Sequence, residues 1–408
     1  MKSARSFTAQ TKAPPRHIVL GITGGVAAFK ACELTRCIVK AGWTVQVVMT
    51  QAATQFVTPV TFAALSGRAV FTDQWDPRVQ NNMAHIDLTR AADAILIAPA
   101  TADCMAKLAH GLADDLLSTM CLARPAHVPL AVAPAMNMEM WQNAATQRNV
   151  ATLRGDGIAL FGPGNGAQAC GETGDGRMLE AEELFAQLEG LFVPKLLAGK
   201  RVLLTVGPTE EPIDPVRMIT NRSSGKMGFA LARAAQEAGA QVTVIAGPTK
   251  QPTPLGVARI DVHTAQQMHA AVHAHVAAND VFFAVAAVAD YRVKTPAEQK
   301  IKKTGKASDL SLALTENPDI LASVAALKKP PFCVGFAAES EKLLEHGQAK
   351  RKKKGVPLLA VNLAQAAFGA EDNELLLLDD AGMHRLPRAP KLDLAHALIA
   401  HVAKMLPR

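Results

Sequence analysis

Aromatic side chains are scarce in this chain, at 4% of 408 residues with a single Tyr and three Trp. A core built from it must be aliphatic, and the 49% of hydrophobic residues with 28 glycines point to an Ala/Val/Leu-rich α/β protein rather than a fibrous or disordered one. Six cysteines (Cys32, Cys37, Cys104, Cys121, Cys170, Cys333) show no CxxC pairing and fall far short of a secreted disulfide scaffold, so reduced thiols are expected. No apolar run reaches the roughly 18 residues of a membrane span, and the first 16 residues lack a signal-peptide core, so no membrane association is expected and a cytoplasmic location is. No internal repeat links the two halves. Two nucleotide signatures are missing as well: no Gly-x4-Gly-Lys-Ser/Thr occurs, and Gly225 and Gly228 do not complete Gly-x-Gly-x-x-Gly.

The length suits two domains. Residues 1–190 hold 15 Lys/Arg against 16 Asp/Glu and residues 191–408 hold 28 against 20, which gives net charges of −1 and +8. A basic half suits nucleic acid, a membrane surface or a phosphorylated small molecule. The basic runs flank strand-end loops rather than a recognition helix, which disfavours a nucleic-acid partner.

Residues 1–16 read as a loose tail. From His17 a strand (17–22), a glycine turn, a helix through Ala41 and a strand (44–49) form a βαβ unit, with further strands expected at 94–98 and 129–133. Residues 191–200 read as a linker. The pattern restarts at Arg201, with strands expected at 241–246, 281–286, 332–336 and 358–361. The fold class is therefore α/β, two doubly wound open sheets, with chemistry expected in the loops beyond the carboxyl ends of the strands.

In the first half, Gly21-Ile-Thr-Gly-Gly25 offers backbone N–H groups at a helix start, equally consistent with a phosphate cradle and with a tight turn. His85 alone reads as an ordinary core or surface residue, Asn137 as a helix cap, and Cys170, set among glycines, as an accessible thiol on a mobile loop. Taken in order, the turn at 21–25, Pro-Ala-Thr-Ala-Asp at 99–103, Pro-Ala-Met-Asn at 134–137 and Ala-Cys-Gly-Glu at 169–172 resemble the flavin-containing cysteine decarboxylases across residues 17–190. The resemblance implies a flavodoxin-like 4′-phosphopantothenoylcysteine decarboxylase with FMN. It implies His85 as active-site base, Asn137 as binder of the substrate carboxylate, Cys170 as proton donor to the enethiolate, and Gly21, Thr23, Thr50 and Thr101 as FMN contacts. Oxidation of the substrate thiol through the flavin would create the electron sink that decarboxylation needs.

In the second half, Gly207-Pro-Thr-Glu-Glu-Pro-Ile-Asp-Pro-Val-Arg217, Thr220-Asn-Arg-Ser-Ser-Gly-Lys-Met-Gly228, the stretch from Ala284 to Asp290, Lys300-Ile-Lys-Lys303, Asn317-Pro-Asp-Ile320, Gly335-Phe-Ala-Ala-Glu339 and Asn373 resemble phosphopantothenate-cysteine ligase over residues 200–380. Without the resemblance, the lysine stretches read as solvated loops or helix faces. The resemblance implies a Rossmann-like, CTP-dependent ligase domain over 201–408, fused as in the bacterial bifunctional enzymes, with Mg2+ and an acyl-cytidylate intermediate. Implied CTP contacts are Ala284, Val285, Ala286, Asp290, Lys300, Asn317, Pro318, Asp319, Ile320, Phe336, Lys350 and Lys354, with Asn221 and Arg217 on the substrate carboxylate. Its substrates would be 4′-phosphopantothenate, L-cysteine and CTP, and its assembly a homo-oligomer, as large as a dodecamer. Two other readings are one active and one degenerate module, and a non-enzymatic flavin- or nucleotide-binding regulator. Met218 stands where the family usually has an aromatic residue, and Val206 where a smaller one is common.

Overall fold

The computed structural model describes residues 14–78, 83–302, 310–339, 343–363 and 370–407. The chain divides between Phe192 and Val193 into two compact units.

The first unit is built on a five-stranded parallel sheet of His17–Ile22, Thr44–Met49, Ala94–Ala100, Leu130–Pro134 and Ala159–Leu160, whose spatial order is 2-1-3-4-5 in chain sequence. Near-continuous burial of the inner strands follows from helices on both faces. Ile18, Leu20 and Ile22 pack with Leu34 and Ile38 of Ala28–Lys40 and Leu184 and Leu188 of Ala181–Gly190. Val19, Ile95 and Ile97 alternate to the other face, against Met105, Leu117, Met120 and Val150. The end of the expected tail is anchored: Arg16 lies 4.4 Å over the Phe192 ring and its Nη1 pairs with Asp93 at 3.4 Å. Residues 1–13 of that tail lie outside the described residues.

The second unit places Arg201–Val206, Gln241–Ala246, Val257–Asp261, Val281–Ala284, Phe332–Glu339 and Leu358–Leu363 in the parallel order 3-2-1-4-5-6. An antiparallel pair, Asp372–Leu378 and Met383–Pro390, extends one edge. Val202, Leu204 and Val206 face the helices Lys226–Glu237 and Lys391–Met405, while Leu203 and Phe282 face Ala265–His275 and Ile320–Ala325. Two expectations shift. The strand expected over 281–286 stops at Ala284, freeing the following residues to line a loop, and the linker-like 195–200 is packed, with Leu197 wholly buried and its N–H on the Ala238 carbonyl at 2.9 Å.

Candidate functional sites

In each sheet the strand order reverses beside the first strand, and the crevice beyond the strand ends at such a point is where open α/β sheets take their ligands. In the first unit it lies past Ile22 and Ala100. Thr23 is buried there. Its Oγ1 donates to the Pro99 carbonyl at 2.7 Å and accepts from the Thr101 N–H at 3.1 Å, joining the two strand ends. Thr101 in turn caps the helix Ala102–His110 by accepting from the Cys104 N–H. Thr50 donates its N–H to the Ile22 carbonyl, and its Oγ1 accepts from the Ala53 N–H.

A Cβ on Gly21 would meet Leu117 Cδ1 at 2.6 Å and one on Gly24 would meet Ala52 Cβ at 2.5 Å, so close packing explains both glycines. At Gly25 the nearest atom would stand 3.9 Å away. Helix Ala28–Lys40 starts just beyond with no side-chain cap. Its first N–H groups, those of Ala28, Phe29 and Lys30, are taken by the carbonyls of Gly25, Val26 and Ala27 at 2.9, 3.4 and 3.0 Å, so the open space at this reversal point lies over the turn before the helix and not at the helix's own first donors.

The Cys170 stretch, read as a mobile loop, is the tip of a two-stranded hairpin, Gly164–Ala167 with Thr173–Arg177. Its glycines let it dock: at Gly176 (φ +123°) a Cβ would fall 2.4 Å from the Met136 carbonyl, whose own N–H bonds to the Gly176 carbonyl at 3.0 Å. Gln168 ties the same segments, accepting from the Met138 N–H and donating to the Asp175 carbonyl.

Asn137 is the expected helix cap, Oδ1 accepting from the Met140 N–H, and more besides. Its Nδ2 donates to Glu139 at 2.6 Å and to Glu172 at 2.9 Å, holding the Glu139 carboxyl below the usual range. The Cys170 thiol donates to the same Glu172 Oε2 at 3.5 Å and to Gln168 Oε1 at 3.8 Å. Asn137 and Cys170, 33 residues apart in sequence, thus share one carboxylate. Glu172 and Gln168 are the residues that sequence reasoning left without a role, although Glu172 stands in the quoted loop. Cys170 is exposed, whereas burial pushes the thiols of Cys121 and Cys333 up to about 12 and raises that of Cys104 further from reactivity. His85 lies in the first turn of Ala84–Ala91, half-buried, and forms no hydrogen bond with the Asn137–Glu172–Cys170 group.

The second unit holds a cavity of about 690 Å³ at its reversal point, lined by Thr205, Gly207 and the 223–228 turn on one side and by residues 284–291 and 316–321 on the other. Of the expected CTP residues, Ala284, Val285, Ala286, Asp290, Asn317, Pro318, Asp319, Ile320, Phe336, Lys350 and Lys354 all line it. Lys300 is exposed and outside the lining; Lys303 lies outside the described residues, and nothing is described of the Glu339 side chain.

Asn221 lines the cavity and donates Nδ2 to the Ala287 carbonyl at 2.9 Å. Asn317 donates its N–H to the Asp290 carbonyl and its Nδ2 to that of Ala289, bracing the 284–290 loop. Asp319 caps Ile320–Ala325 through Oδ1 and pairs with Lys354 through Oδ2. Burial pushes its carboxyl up, but Lys354 and the Ala322 N–H hold it below the usual range. Arg217 is not brought to the cavity: its guanidinium clamps the buried Asp214, holding that carboxyl well below the usual range, and donates to the Ile301 carbonyl at 2.8 Å. That clamp fastens the stretch carrying Lys300, since the Ile301 N–H also reaches Asp214 Oδ2. Lys226, inside the 220–228 stretch, and Lys353, in the basic run 350–354, line the cavity without having been given a role from sequence, and so does Lys391, a lone lysine that carries no motif.

Residues 6–192 match the family described as Flavoprotein, and residues 197–406 match the DNA/pantothenate metabolism flavoprotein C-terminal domain. The Coenzyme A biosynthesis bifunctional protein CoaBC of Vibrio cholerae is 50% identical over 388 residues, covering 94% of this chain and 97% of that protein. The protein of the same name from Escherichia coli is 45% identical over 393 residues, 95% of this chain and 96% of its own. Among solved structures, the C-terminal domain of a Coenzyme A biosynthesis bifunctional protein CoaBC matches at 35% identity and a TM-score of 0.45, covering 52% of this chain and 98% of that one.

Proposed function

Because the chain belongs to the family of coenzyme A biosynthesis bifunctional proteins, we propose that its second unit joins L-cysteine to 4′-phosphopantothenate at the expense of CTP and that its first unit decarboxylates the product with bound FMN. The cavity of the second unit carries the ligase reading, since it gathers at one reversal point every expected nucleotide contact except Lys300. There the substrate carboxylate attacks the α-phosphate of CTP, pyrophosphate leaves, and the amine of cysteine displaces CMP from the acyl-cytidylate to form the amide. Lys350 and Lys354 offset the phosphate charge, and the Asn221 amide sits where it can hold the reacting carboxylate. Lys300, on the stretch fastened by the Arg217–Asp214 clamp, is the lysine that closes on the triphosphate. A Mg2+ ion carried in with the phosphates fits the oxygen donors Asp290 and Glu316 of the lining.

In the first unit the turn at Gly24 and Gly25, with open space over Gly25 where the strand order reverses, fits the FMN phosphate. Bound flavin supplies a two-electron acceptor and donor for the substrate thiol. The residues of the chain do the rest. An amide that already bridges the carboxylates of Glu139 and Glu172 is set to hold a substrate carboxylate, and Cys170, kept at the hairpin tip by Glu172 and Gln168, delivers a proton to the carbon that has lost CO2. Exposed apolar side chains on this unit (Phe29, Val60, Trp75, Leu122) suit the burial that a homo-oligomer provides. No helix among the described residues is long and apolar enough to cross a membrane.

The test is pyrophosphate release by purified protein given CTP, 4′-phosphopantothenate and cysteine, with formation of 4′-phosphopantetheine followed in the same mixture. Both products are expected, and Lys300→Gln should lose pyrophosphate release. Absence of pyrophosphate with CTP overturns the nucleotide assignment, an unchanged Lys300→Gln rate overturns the role of that lysine, and pyrophosphate without decarboxylated product marks the first unit as inactive.

A further inference from the structure

We propose that Asp379, His384 and His401 form a binding site for a first-row divalent transition-metal ion, with Zn2+ as the reference case, at the edge of the second unit's sheet. Asp379 follows the strand Asp372–Leu378, His384 lies on the returning strand Met383–Pro390, and His401 projects from the C-terminal helix Lys391–Met405. One potential ligand atom from each converges, all within 4.8 Å of one another. Asp379 Oδ2 stands 3.1 Å from His384 Nε2 and 2.8 Å from His401 Nε2, and the two imidazole centroids are 4.6 Å apart.

Zinc–nitrogen and zinc–oxygen bonds of about 2.0–2.2 Å set tetrahedral ligands roughly 3.3 Å from each other. The two carboxylate–imidazole spacings fall within about half an ångström of that value. The cluster is anchored rather than free to splay: Gly382 donates its N–H to Asp379 Oδ1 at 2.9 Å, and the Asp379 N–H returns to the Gly382 carbonyl at 3.1 Å. Asp379 and His401 are buried, while the His384 side chain is 20% exposed, so a fourth, water-held position opens on its side.

Two imidazoles and a carboxylate are a borderline-soft donor set suited to Zn2+, Co2+ or Ni2+ rather than to Mg2+. On coordination any proton on Nε2 moves to Nδ1 or leaves to solvent, and two hydrogen bonds to Asp379 are exchanged for two metal–nitrogen bonds. An ion there would bind the antiparallel edge pair to the last helix. None of the three residues lines the nucleotide cavity, so the site is separate from the ligase reaction.

The full chain, stripped with a chelator and carrying Cys170→Ser to remove the exposed thiol, is titrated with Zn2+ by calorimetry and with Co2+ by visible absorption. One ion per chain is expected, with the Co2+ bands of a tetrahedral nitrogen/oxygen site and a Zn2+-dependent rise in Tm. In His384→Gln, affinity should fall beyond the roughly 10–100-fold that loss of an outer-shell partner brings, and the rise in Tm should vanish; His401→Gln should behave alike. Should His401→Gln fail to fold, His384→Gln decides, because its side chain sits at the surface edge of the cluster. An isotherm unchanged in His384→Gln, or no binding by the parent protein, overturns the site and leaves a hydrogen-bonded His–Asp–His cluster.

Discussion

Gly228 stands third in the helix Lys226–Glu237, at the wall of the nucleotide cavity. A Cβ there would fall 2.6 Å from Val206 Cγ1 and 2.8 Å from Val206 Cβ. The latter is fixed to the strand Arg201–Val206 and cannot rotate away, so Gly228→Ala must push the helix start off the sheet. Overpacking of this kind costs about 1–3 kcal/mol, and a clash with an atom that cannot rotate away belongs in its upper part, about 2–3 kcal/mol, against a gain of at most about 1 kcal/mol from replacing glycine in a helix. The net loss, about 1–2 kcal/mol, lowers the Tm of a unit of this size by roughly 2–8 °C. Residues 223–228 line the cavity, so the KM for nucleotide should rise while decarboxylation proceeds at its normal rate. Val206→Ala removes Cγ1 and leaves Cβ, so the double variant should recover part of the loss, with a coupling of about 0.5–3 kcal/mol. Scanning calorimetry with both product assays reads all of this. A Gly228→Ala protein that melts at or above the parent temperature, or two substitutions whose losses simply add, refutes the contact reasoning.

Cys170→Ala should leave ligation intact and stall the first unit at the oxidised enethiol, visible by mass spectrometry; a normal yield of 4′-phosphopantetheine removes Cys170 from the proton-donor role. Glu237 is buried between Arg233 Nε at 2.7 Å and His396 Nε2 at 2.6 Å. Burial pushes its carboxyl up, but His396 and Arg233 hold it below the ordinary value. Its ionised form therefore stabilises the fold in full above the unfolded value of about 4.3, and that contribution is lost as pH falls through the lower folded value. Glu237→Gln should flatten this acid limb in Tm measured from pH 6 to pH 3, and an undiminished slope would show that other carboxylates set it.

Much of both sheets was legible because buried parallel strands are short apolar runs between glycine turns, as in His17–Ile22 and Arg201–Val206. The antiparallel pair at 372–390 was not read. It carries Asp372, Glu374, Arg385 and Arg388 on exposed faces, paired across the strands as Arg385–Glu374 and Arg388–Asp372, with Pro387 and Pro390 in the second strand, so it reads as loop. The Cys170 hairpin was hidden for a different reason: glycine has no side chain to mark the two faces of a strand, and its density there answers to docking against Met136 and Met138. At the sites, most residues given a role from contiguous motifs were found, whereas Glu172, though inside one, took its meaning only when folding brought it to Asn137, and Lys391, which stands in none, only when its helix met the cavity.

The pairing of Lys354 with Asp319 gives the nucleotide cavity the character of an ion exchanger. Among the described residues five lysines line it, yet three carboxylates, Asp290, Glu316 and Asp319, line it too. Lys354 can turn to an entering polyanion only by leaving Asp319, and the helix keeps its cap through that exchange, because Oδ1 rather than Oδ2 holds the Ala322 N–H. Each such substitution trades one screened pair for another. The response of nucleotide affinity to ionic strength should therefore report the few charges newly paired, not the number of lysines in the wall.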